Sequence, residues 1–444
     1  AGKISKTKAR KRFQNSLKKM FKNRGIYRSH HMNFPEEKIE QSILPNGIRL
    51  LFRHRAGEVS HLALMVNAGM RDEKDDENGL AHFVEHLIFK GTKRRRAYHI
   101  LSCLENVGGD LNAYTTKEET CIHASFLKEH MDKAMDLFSD IAFRSVFPQR
   151  EMDKEKEVIL DEINSYRDTP SEEIFDEFEN VLYEGHQLGR NILGTKELVE
   201  NYSRADIVRF IKNNYSTERL VIGAVADMSF SDFEKMTARY FGEWQCYNID
   251  HHRIPFEKYT PKKIICERNS HLSHIMIGGL AYDIRHRDKM PLVLLNNILG
   301  GPGMNSRLNL NIREKYGFAY TIESQYNAYS DTGNFSIYLG VDPDSAERSI
   351  ELVFKELDKM RNTALGTLQL SNAKKQLLGQ VALGNESGMN ELLSIVRAHF
   401  YGEGCETMSQ IREKIERITS SKLLDVANEI FDKDSMNMLI FKGV

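Results

Sequence analysis

The segment that most constrains this chain runs from Gly79 to Phe89. Its apolar residues recur at helical spacing and form one stripe, which comprises Leu80, Phe83, Val84, Leu87 and Ile88. His82, Glu85 and His86 fall on the opposite side. Because an apolar stripe is buried against other elements, the polar side should line a cleft. The segment therefore predicts an amphipathic helix that presents two histidines and a carboxylate side by side.

The spacing HxxEH gives this polar face a specific chemistry. Histidines four residues apart on a helix point the same way, and the glutamate before the second histidine lies beside them. Catalytic zinc usually takes three protein ligands and keeps one position for water. We interpret His82 and His86 as ligands of one Zn²⁺ per chain and Glu85 as the general base. The alternative is a solvated face that spells HxxEH by chance among 16 histidines, so a third ligand is needed.

The segment from Glu151 to Arg167 supplies that third ligand. The helical pattern places Glu155 and Glu162 on the same stripe as four apolar residues, Val158, Ile159, Ile163 and Tyr166. Burying an unpaired charge costs several kcal/mol, so such carboxylates need a metal or a cation. We assign Glu162 as the ligand. Glu155, about 10 Å away along the helix axis, would support the site; the alternative is that both carboxylates pair with Lys or Arg at an ordinary interface.

The sequence around these residues resembles the pitrilysin-type, or inverzincin, zinc metallopeptidases, and within them the mitochondrial-processing-peptidase branch and its bacterial homologues. The resemblance extends from about Asn46 to Val444 and is clearest in residues 78–92, 108–115 and 155–162. It implies a zinc endopeptidase that cuts unfolded or extended peptides, of the leader-processing or the peptide-degrading type. It also implies zinc ligands at His82, His86 and Glu162. Glu85 is then the base and Glu155 the supporting carboxylate.

Asn112, Ala113 and Tyr114 match the substrate-binding edge strand of the resembled family. An unpaired strand edge can add an extended peptide as a further strand through main-chain hydrogen bonds. The residues alone also fit an ordinary half-buried hairpin strand over residues 112–126.

A second set of candidate residues lies further along the chain. Residues 299–307 form a glycine-rich loop, but no GKS or GKT ending accompanies it, so phosphate binding is weakly indicated. The resemblance implies instead a mobile loop at the substrate chamber, with Gly300 and Gly301 in contact with substrate. Arg313 and Tyr320 match the Arg and Tyr pair of the family. Arg offers forked donors for substrate carbonyls, and a tyrosine hydroxyl can donate to a developing oxyanion; alone, each would more simply be structural.

The chain is internally repeated. Residues 61–69 and the predicted zinc helix are echoed by residues 274–282 and 290–298, and residues 205–224 by residues 422–442. We predict an α+β fold with two homologous domains, each a largely antiparallel sheet covered by helices. The predicted segments are a basic N-terminal arm (1–36), a zinc-binding peptidase domain (37–250), a linker (251–262) and a second domain (263–444).

The resemblance also predicts the assembly. Longer members of the family hold four such domains, with zinc in the first and the Arg and Tyr pair in the last. A chain with two domains and both constellations is expected to form a clam-like homodimer with an internal chamber, in which each chain completes the site of the other. The alternative is a non-catalytic or heterodimer-dependent scaffold subunit of the same fold.

Composition sets the remaining expectations. The chain has 444 residues, of which 41% are hydrophobic and 28% charged, and it contains no apolar run long enough to span a bilayer. We therefore predict no stable membrane insertion. Five scattered cysteines without a CxxC motif indicate a reducing compartment. The expected location is the bacterial cytoplasm, with the mitochondrial matrix as the alternative.

The N-terminal arm is strongly basic, since residues 1–32 contain eleven Lys or Arg and no Asp or Glu. Phe13, Leu17, Met20 and Phe21 would share one face if it were helical. Three interpretations of the arm remain open. The arm is a disordered tail or a stretch before a start at Met32, or it is a mitochondrial targeting segment, or it mimics a substrate. Nucleic-acid binding would rest on this arm alone, and no recognition fold supports it, so we predict no nucleic-acid partner.

Overall fold

Two mixed β-sheets covered by helices form an α+β fold, as the sequence predicts. The computed structural model describes residues 38–245, 252–402, 404 and 406–444. We call residues 38–245 the first half and residues 252–444 the second half. The predicted basic arm lies outside the described residues.

The first half contains six strands and eight α-helices. The strands are β1 (Ile39–Ile43), β2 (Arg49–His54), β3 (Val59–Val66), β4 (Asp110–Thr115), β5 (Thr120–Leu127) and β6 (Leu220–Ala226). The helices are α1 (Leu80–Leu87), α2 (Ala97–Glu105), α3 (Met131–Arg144), α4 (Gln149–Arg167), α5 (Pro170–Leu182), α6 (Lys196–Asn201), α7 (Arg204–Asn214) and α8 (Phe230–Phe241).

The described part of the second half contains five strands, six α-helices and a π-helical segment. The strands are β7 (Lys263–Arg268), β8 (Ser273–Ala281), β9 (Ala319–Ala328), β10 (Gly333–Val341) and β11 (Asn437–Gly443). The helices are α9 (Lys289–Gly300), α10 (Ala346–Asn362), α11 (Thr367–Asn385), α12 (Gly388–Phe400), α13 (Met408–Arg417) and α14 (Ser420–Ile430), and the π-helical segment is Asn309–Glu314.

The two sheets share one topology. The first sheet has the order β1-β2-β6-β3-β5-β4, and the second has the order β7-β11-β8-β10-β9. Each has a single parallel pair, β2 with β6 and β7 with β11. Without β1 the two orders correspond strand for strand, so the repeat in the sequence is matched by a repeat in topology. The exact domain limits stay a prediction.

Each half of the chain donates a helix to the sheet of the other half. Helix α5 of the first half packs on the second sheet, where Phe178 meets Met276 and Phe441 in one buried cluster. Helix α12 of the second half packs on the first sheet, where Val396 lies with Val221. Burying each such side chain contributes about 1.5–3 kcal/mol. The two halves are therefore joined by two reciprocal apolar contacts.

A buried ionic contact joins the same halves. The Arg71 side chain is fully buried and lies 2.7 Å from Glu118 and 2.6 Å from Asp331. Asp331 belongs to the turn between β9 and β10. Burial lowers the pKa of Arg71, but the hydrogen bonds and charges of Asp331 and Glu118 outweigh it and raise the pKa. The guanidinium thus stays charged and fixes the hairpin of the second half against the first half.

Among the residues that the structure describes, no helix combines the length and apolarity that crossing a bilayer requires.

Candidate active site

The sequence around α1 fixes where this helix begins. Gly79 precedes it with a φ of 95°, in the left-handed region. A Cβ atom at Gly79 would lie 2.7 Å from the Leu193 carbonyl oxygen, so only glycine fits. The predicted apolar stripe of α1 is confirmed, since its five residues are at most 5% exposed. The opposite face, with both histidines, is therefore free to form a site.

A carboxylate from outside the helix caps α1. Glu73 accepts hydrogen bonds from the backbone N–H groups of Gly79 (2.9 Å) and Ala81 (2.7 Å). Burial raises the pKa of Glu73 to about 8, and the two backbone donors oppose that shift. Sequence reasoning missed Glu73. The available signal was an acidic residue shortly before a predicted helix start, where anions are favoured.

The three residues predicted to hold zinc come together. Helix α4 brings Glu162 Oε2 to 3.9 Å from His82 Nε2 and 3.8 Å from His86 Nε2. The three ligand atoms lie within 4.8 Å of one another. In the described part of the chain, this is the one cluster of three His, Cys, Asp or Glu side chains with metal-binding spacing.

The donor set and its electrostatics fit Zn²⁺. Two ligand atoms of a tetrahedral zinc site lie roughly 3.4 Å apart, so the observed separations need only a small contraction. Burial, with a further contribution from the His86 charge, lowers the pKa of His82 to about 3. The imidazole of His82 is therefore neutral at physiological pH, which is the form that binds metal.

Glu155 supports the second histidine. Its Oε2 lies 3.2 Å from His86 Nδ1, and its Oε1 lies 2.6 Å from Lys90 Nζ. The contact with Nδ1 orients the ring so that Nε2 faces Glu162. Lys90 balances the buried carboxylate and was also missed by sequence reasoning. Its position four residues after His86 was the available signal.

The predicted stripe of α4 was wrong in phase. Val158 and Tyr166 are 42% and 39% exposed. The buried face consists instead of Met152, Glu155, Ile159 and Ile163. These positions follow a helical spacing that centres on the α1 contact, and Glu162 lies half-buried at the border of that face. Glu155 and Glu162 were nevertheless placed correctly. The predicted stripe contains both, and in the structure Glu155 lies on the buried face and Glu162 at its border.

We expect Glu155→Gln to weaken zinc binding about 10–100-fold, because the amide loses the charge that polarises and orients His86. The measurement is competition for zinc against a chelator of known affinity. Glu157→Gln is the matched control, since Glu157 is exposed on the same helix. Equal zinc affinity in the two variants would show that the Glu155 contact does not support the metal site.

Glu85 lies half-buried on the same face as the histidines. Burial raises the pKa of Glu85, and the charge of Glu162 adds to this rise, while Thr115 and His86 oppose it. A carboxylate with a raised pKa accepts a proton more readily at neutral pH than an ordinary one. The environment of Glu85 thus suits a general base.

The strand beside this face has an open edge. Strand β4 is last in the sheet order, and α1 packs against it. On its paired side Asn112 faces His123, Ala113 faces Ile122 and Tyr114 faces Cys121. No strand pairs with its other side among the described residues. The segment is therefore both the hairpin strand and the edge strand that the sequence allowed.

The second set of predicted residues lies in the second half of the chain. Arg313 is exposed in the π-helical segment, and Tyr320 is 66% exposed at the start of β9. Neither side chain makes a hydrogen bond or ion pair with the described residues. Strand β9 is the edge of the second sheet, in the position that β4 occupies in the first. Their predicted roles stay a prediction.

Gly300 and Gly301 are buried where α9 ends. A Cβ atom on Gly300 would lie 2.6 Å from the Ser324 amide nitrogen, and one on Gly301 would lie 2.5 Å from Asn297 Oδ1. Close packing explains both glycines. Contact of these two residues with substrate stays a prediction.

A helix-borne HxxEH face with a carboxylate from a second helix is the ligand arrangement of the inverzincin class. Two family models match the chain: insulinase (peptidase family M16) over residues 49–196, and the peptidase M16 inactive domain over residues 201–377. The chain belongs to peptidase family M16.

Relatives and solved structures agree with this assignment. The chain is 30% identical over 414 residues to the uncharacterized zinc protease YmxG of Bacillus subtilis, covering 90% of this chain and 98% of that protein. It is 29% identical to a probable mitochondrial-processing peptidase subunit beta of Schizosaccharomyces pombe, covering 89% of this chain and 90% of that protein. A protease structure from Helicobacter pylori shares the fold, with a TM-score of 0.86 and 20% identity over 91% of this chain and 100% of that chain.

Proposed function

We propose that this protein is a zinc-dependent endopeptidase that hydrolyses unfolded or extended peptides. The observation that carries the proposal is the convergence of His82, His86 and Glu162. Glu85 lies on the same face, and β4 offers an open edge beside it. Relatives that are named zinc proteases support the proposal.

The residues divide the reaction between them. His82, His86 and Glu162 would hold Zn²⁺, which when bound supplies a Lewis acid for the carbonyl and lowers the pKa of a water. Glu85 accepts the proton of the attacking water and returns it to the leaving amine. Tyr320 donates a hydrogen bond to the developing oxyanion, and Arg313 positions the substrate main chain.

Strand β4 accounts for the preference for extended substrates. A peptide that pairs with its open edge is held by main-chain hydrogen bonds, which do not depend on side chains. Folded proteins lack an available extended segment and would be excluded. The resemblance to a subunit of a processing peptidase supports leader or peptide processing as the role.

We propose that a second copy of the chain completes the site. Arg313 and Tyr320 are exposed and lack side-chain hydrogen bonds or ion pairs with the described residues of their own chain. Both are present in the same sequence as the zinc ligands, so a homodimer would be self-sufficient. The alternative is a subunit that needs a different partner, since one relative is named as a subunit beta.

The cellular location is part of the proposal. Five scattered cysteines without a CxxC motif favour a reducing compartment. Several relatives are bacterial proteins, and we propose the bacterial cytoplasm.

Metal removal tests the proposed activity. We expect one zinc per chain and cleavage of an unstructured fluorogenic peptide, abolished by 1,10-phenanthroline and restored by added zinc. His82→Ala should lose both metal and activity, because one ligand is missing. His99→Ala is the control, since His99 is an exposed histidine on α2. Cleavage that survives metal removal would contradict the proposal.

A further inference from the structure

A polar cleft lies in the second half between the glycine-rich loop (residues 299–307) and α11. Its volume is about 250 Å³, and we call it the loop cleft. Seven of its lining residues are polar or charged, and three are apolar. The polar set comprises Asn297, Asn305, Ser306, Arg307, Gln369, Asn372 and Gln376, and the apolar set comprises Ile298, Leu365 and Ala373. The cleft contains none of the residues assigned to the zinc site.

Asn297 contributes a side-chain amide to the cleft. Asn297 lines the cleft and is only 7% exposed. Its side chain makes no hydrogen bond with the described residues. The Asn297 amide is therefore available to donate a hydrogen bond to a ligand in the cleft.

A cation lies in the same cleft. Arg307 is half-buried and makes no hydrogen bond or ion pair with the described residues. Burial lowers the pKa of Arg307, and the charge of Glu356 opposes that shift. Glu356 is itself hydrogen-bonded to Lys359. The forked donors of Arg307 are thus available, and their preferred partner is a planar oxyanion.

One face of α11 forms the opposite wall. Gln369, Asn372 and Gln376 recur at helical spacing on that face. Asn305 and Gln376 exchange two amide hydrogen bonds of 3.2 and 3.0 Å. These bonds hold the glycine-rich loop to α11. The two walls of the cleft are therefore linked at this point.

We propose that Arg307 and the amide of Asn297 form a binding site for a carboxylate in the loop cleft. A carboxylate matches a site with one cation, whereas phosphate carries nearly twice the charge. The cleft is smaller than the roughly 300–1,000 Å³ of drug-sized pockets. Ile298, Leu365 and Ala373 are the apolar lining residues that an aliphatic side chain beside the carboxylate would contact. The occupant is the C-terminal residue of a peptide; naming a peptide rests on the proposed function, while the carboxylate site does not.

The test uses N-acetyl-leucine and N-acetyl-leucinamide, which differ only in the charged group. Calorimetric titration of the full-length zinc protein should show the acid binding about tenfold or more tightly than the amide, because the pair with Arg307 is charge-assisted. Arg307→Gln should abolish the difference. Arg348→Gln is the control, because Arg348 is an exposed cation on α10 and should leave the difference unchanged.

A second variant guards against misfolding. Asn372 is exposed, so Asn372→Asp should fold normally while repelling a carboxylate, and it should also abolish the preference for the acid. A preference that persists in both variants would assign it to the zinc centre and overturn the proposal. Equal binding of acid and amide by the unmodified protein would overturn it too. If the protein bound inorganic phosphate through Arg307 but did not bind the acid, the site would be a phosphate site and the carboxylate proposal would be overturned. Because no cleavage is measured, these outcomes are independent of the proposed peptidase activity.

Discussion

Glu85→Gln should lower kcat/KM for an unstructured peptide by about 10²–10⁴-fold. The amide is nearly isosteric with the carboxylate but cannot accept the proton of the attacking water. Zinc content should stay at one per chain, because the metal cluster comprises His82, His86 and Glu162. The measurements are initial rates on a fluorogenic peptide and metal analysis of the same sample.

The control for this experiment is Glu105→Gln, since Glu105 is an exposed carboxylate at the end of α2. That variant should cleave at the unmodified rate. If Glu85→Gln retained full activity with zinc bound, Glu85 would not be the base. If it lost zinc as well as activity, the effect would be on metal binding and the assignment of Glu85 would fail.

Mixing two inactive variants should restore activity if two chains complete each site. Tyr320→Phe removes the proposed oxyanion donor and should lower kcat by about 10²–10³-fold. In a mixed dimer, the zinc site of the Tyr320→Phe chain meets the intact Tyr320 of the Glu85→Gln chain. Random pairing of equal amounts yields half mixed dimers with one intact site each, so about one quarter of full activity should return.

A control mixture tests whether the restored activity requires lesions in different halves of the site. Glu85→Gln mixed with His82→Ala places both lesions in the zinc half of the site, so this mixture should stay inactive. Both mixtures must be prepared by co-expression or by subunit exchange and measured at equal total concentration. No rescue in the first mixture, despite a dimeric mass, would show that Tyr320 does not act in the site of the other chain.

Local periodicity predicted helix α1 well. The apolar stripe of α1 and the opposite direction of its histidines follow from spacing alone, because the helix is short and its two faces differ sharply. The buried face of helix α4 was harder to predict, because charged residues lie on several sides of the helix. The phase of its apolar stripe was therefore misassigned. The stripe led to Glu162 despite its wrong phase, and the family resemblance then agreed with that choice.

Contacts between distant residues were beyond sequence reasoning. The pairing of Arg71 with Asp331 joins residues 260 positions apart, and no local pattern marks it. The parallel pairs β2 with β6 and β7 with β11 were likewise unpredicted, because each joins strands far apart in the chain. The loop cleft depends on Arg307 remaining without a counter-ion, which only the packed structure reveals.

The reciprocal packing of α5 and α12 bears on the history of the duplication. A single ancestral unit would have lacked the helix that covers one face of its own sheet, because that helix here comes from the other half. Two such units could cover these faces only by exchanging helices in a domain-swapped dimer of separate chains. Gene fusion would then have turned a swap between two polypeptides into one within a single polypeptide. Cutting the present chain between its halves would therefore yield two fragments that aggregate alone and recover solubility when mixed.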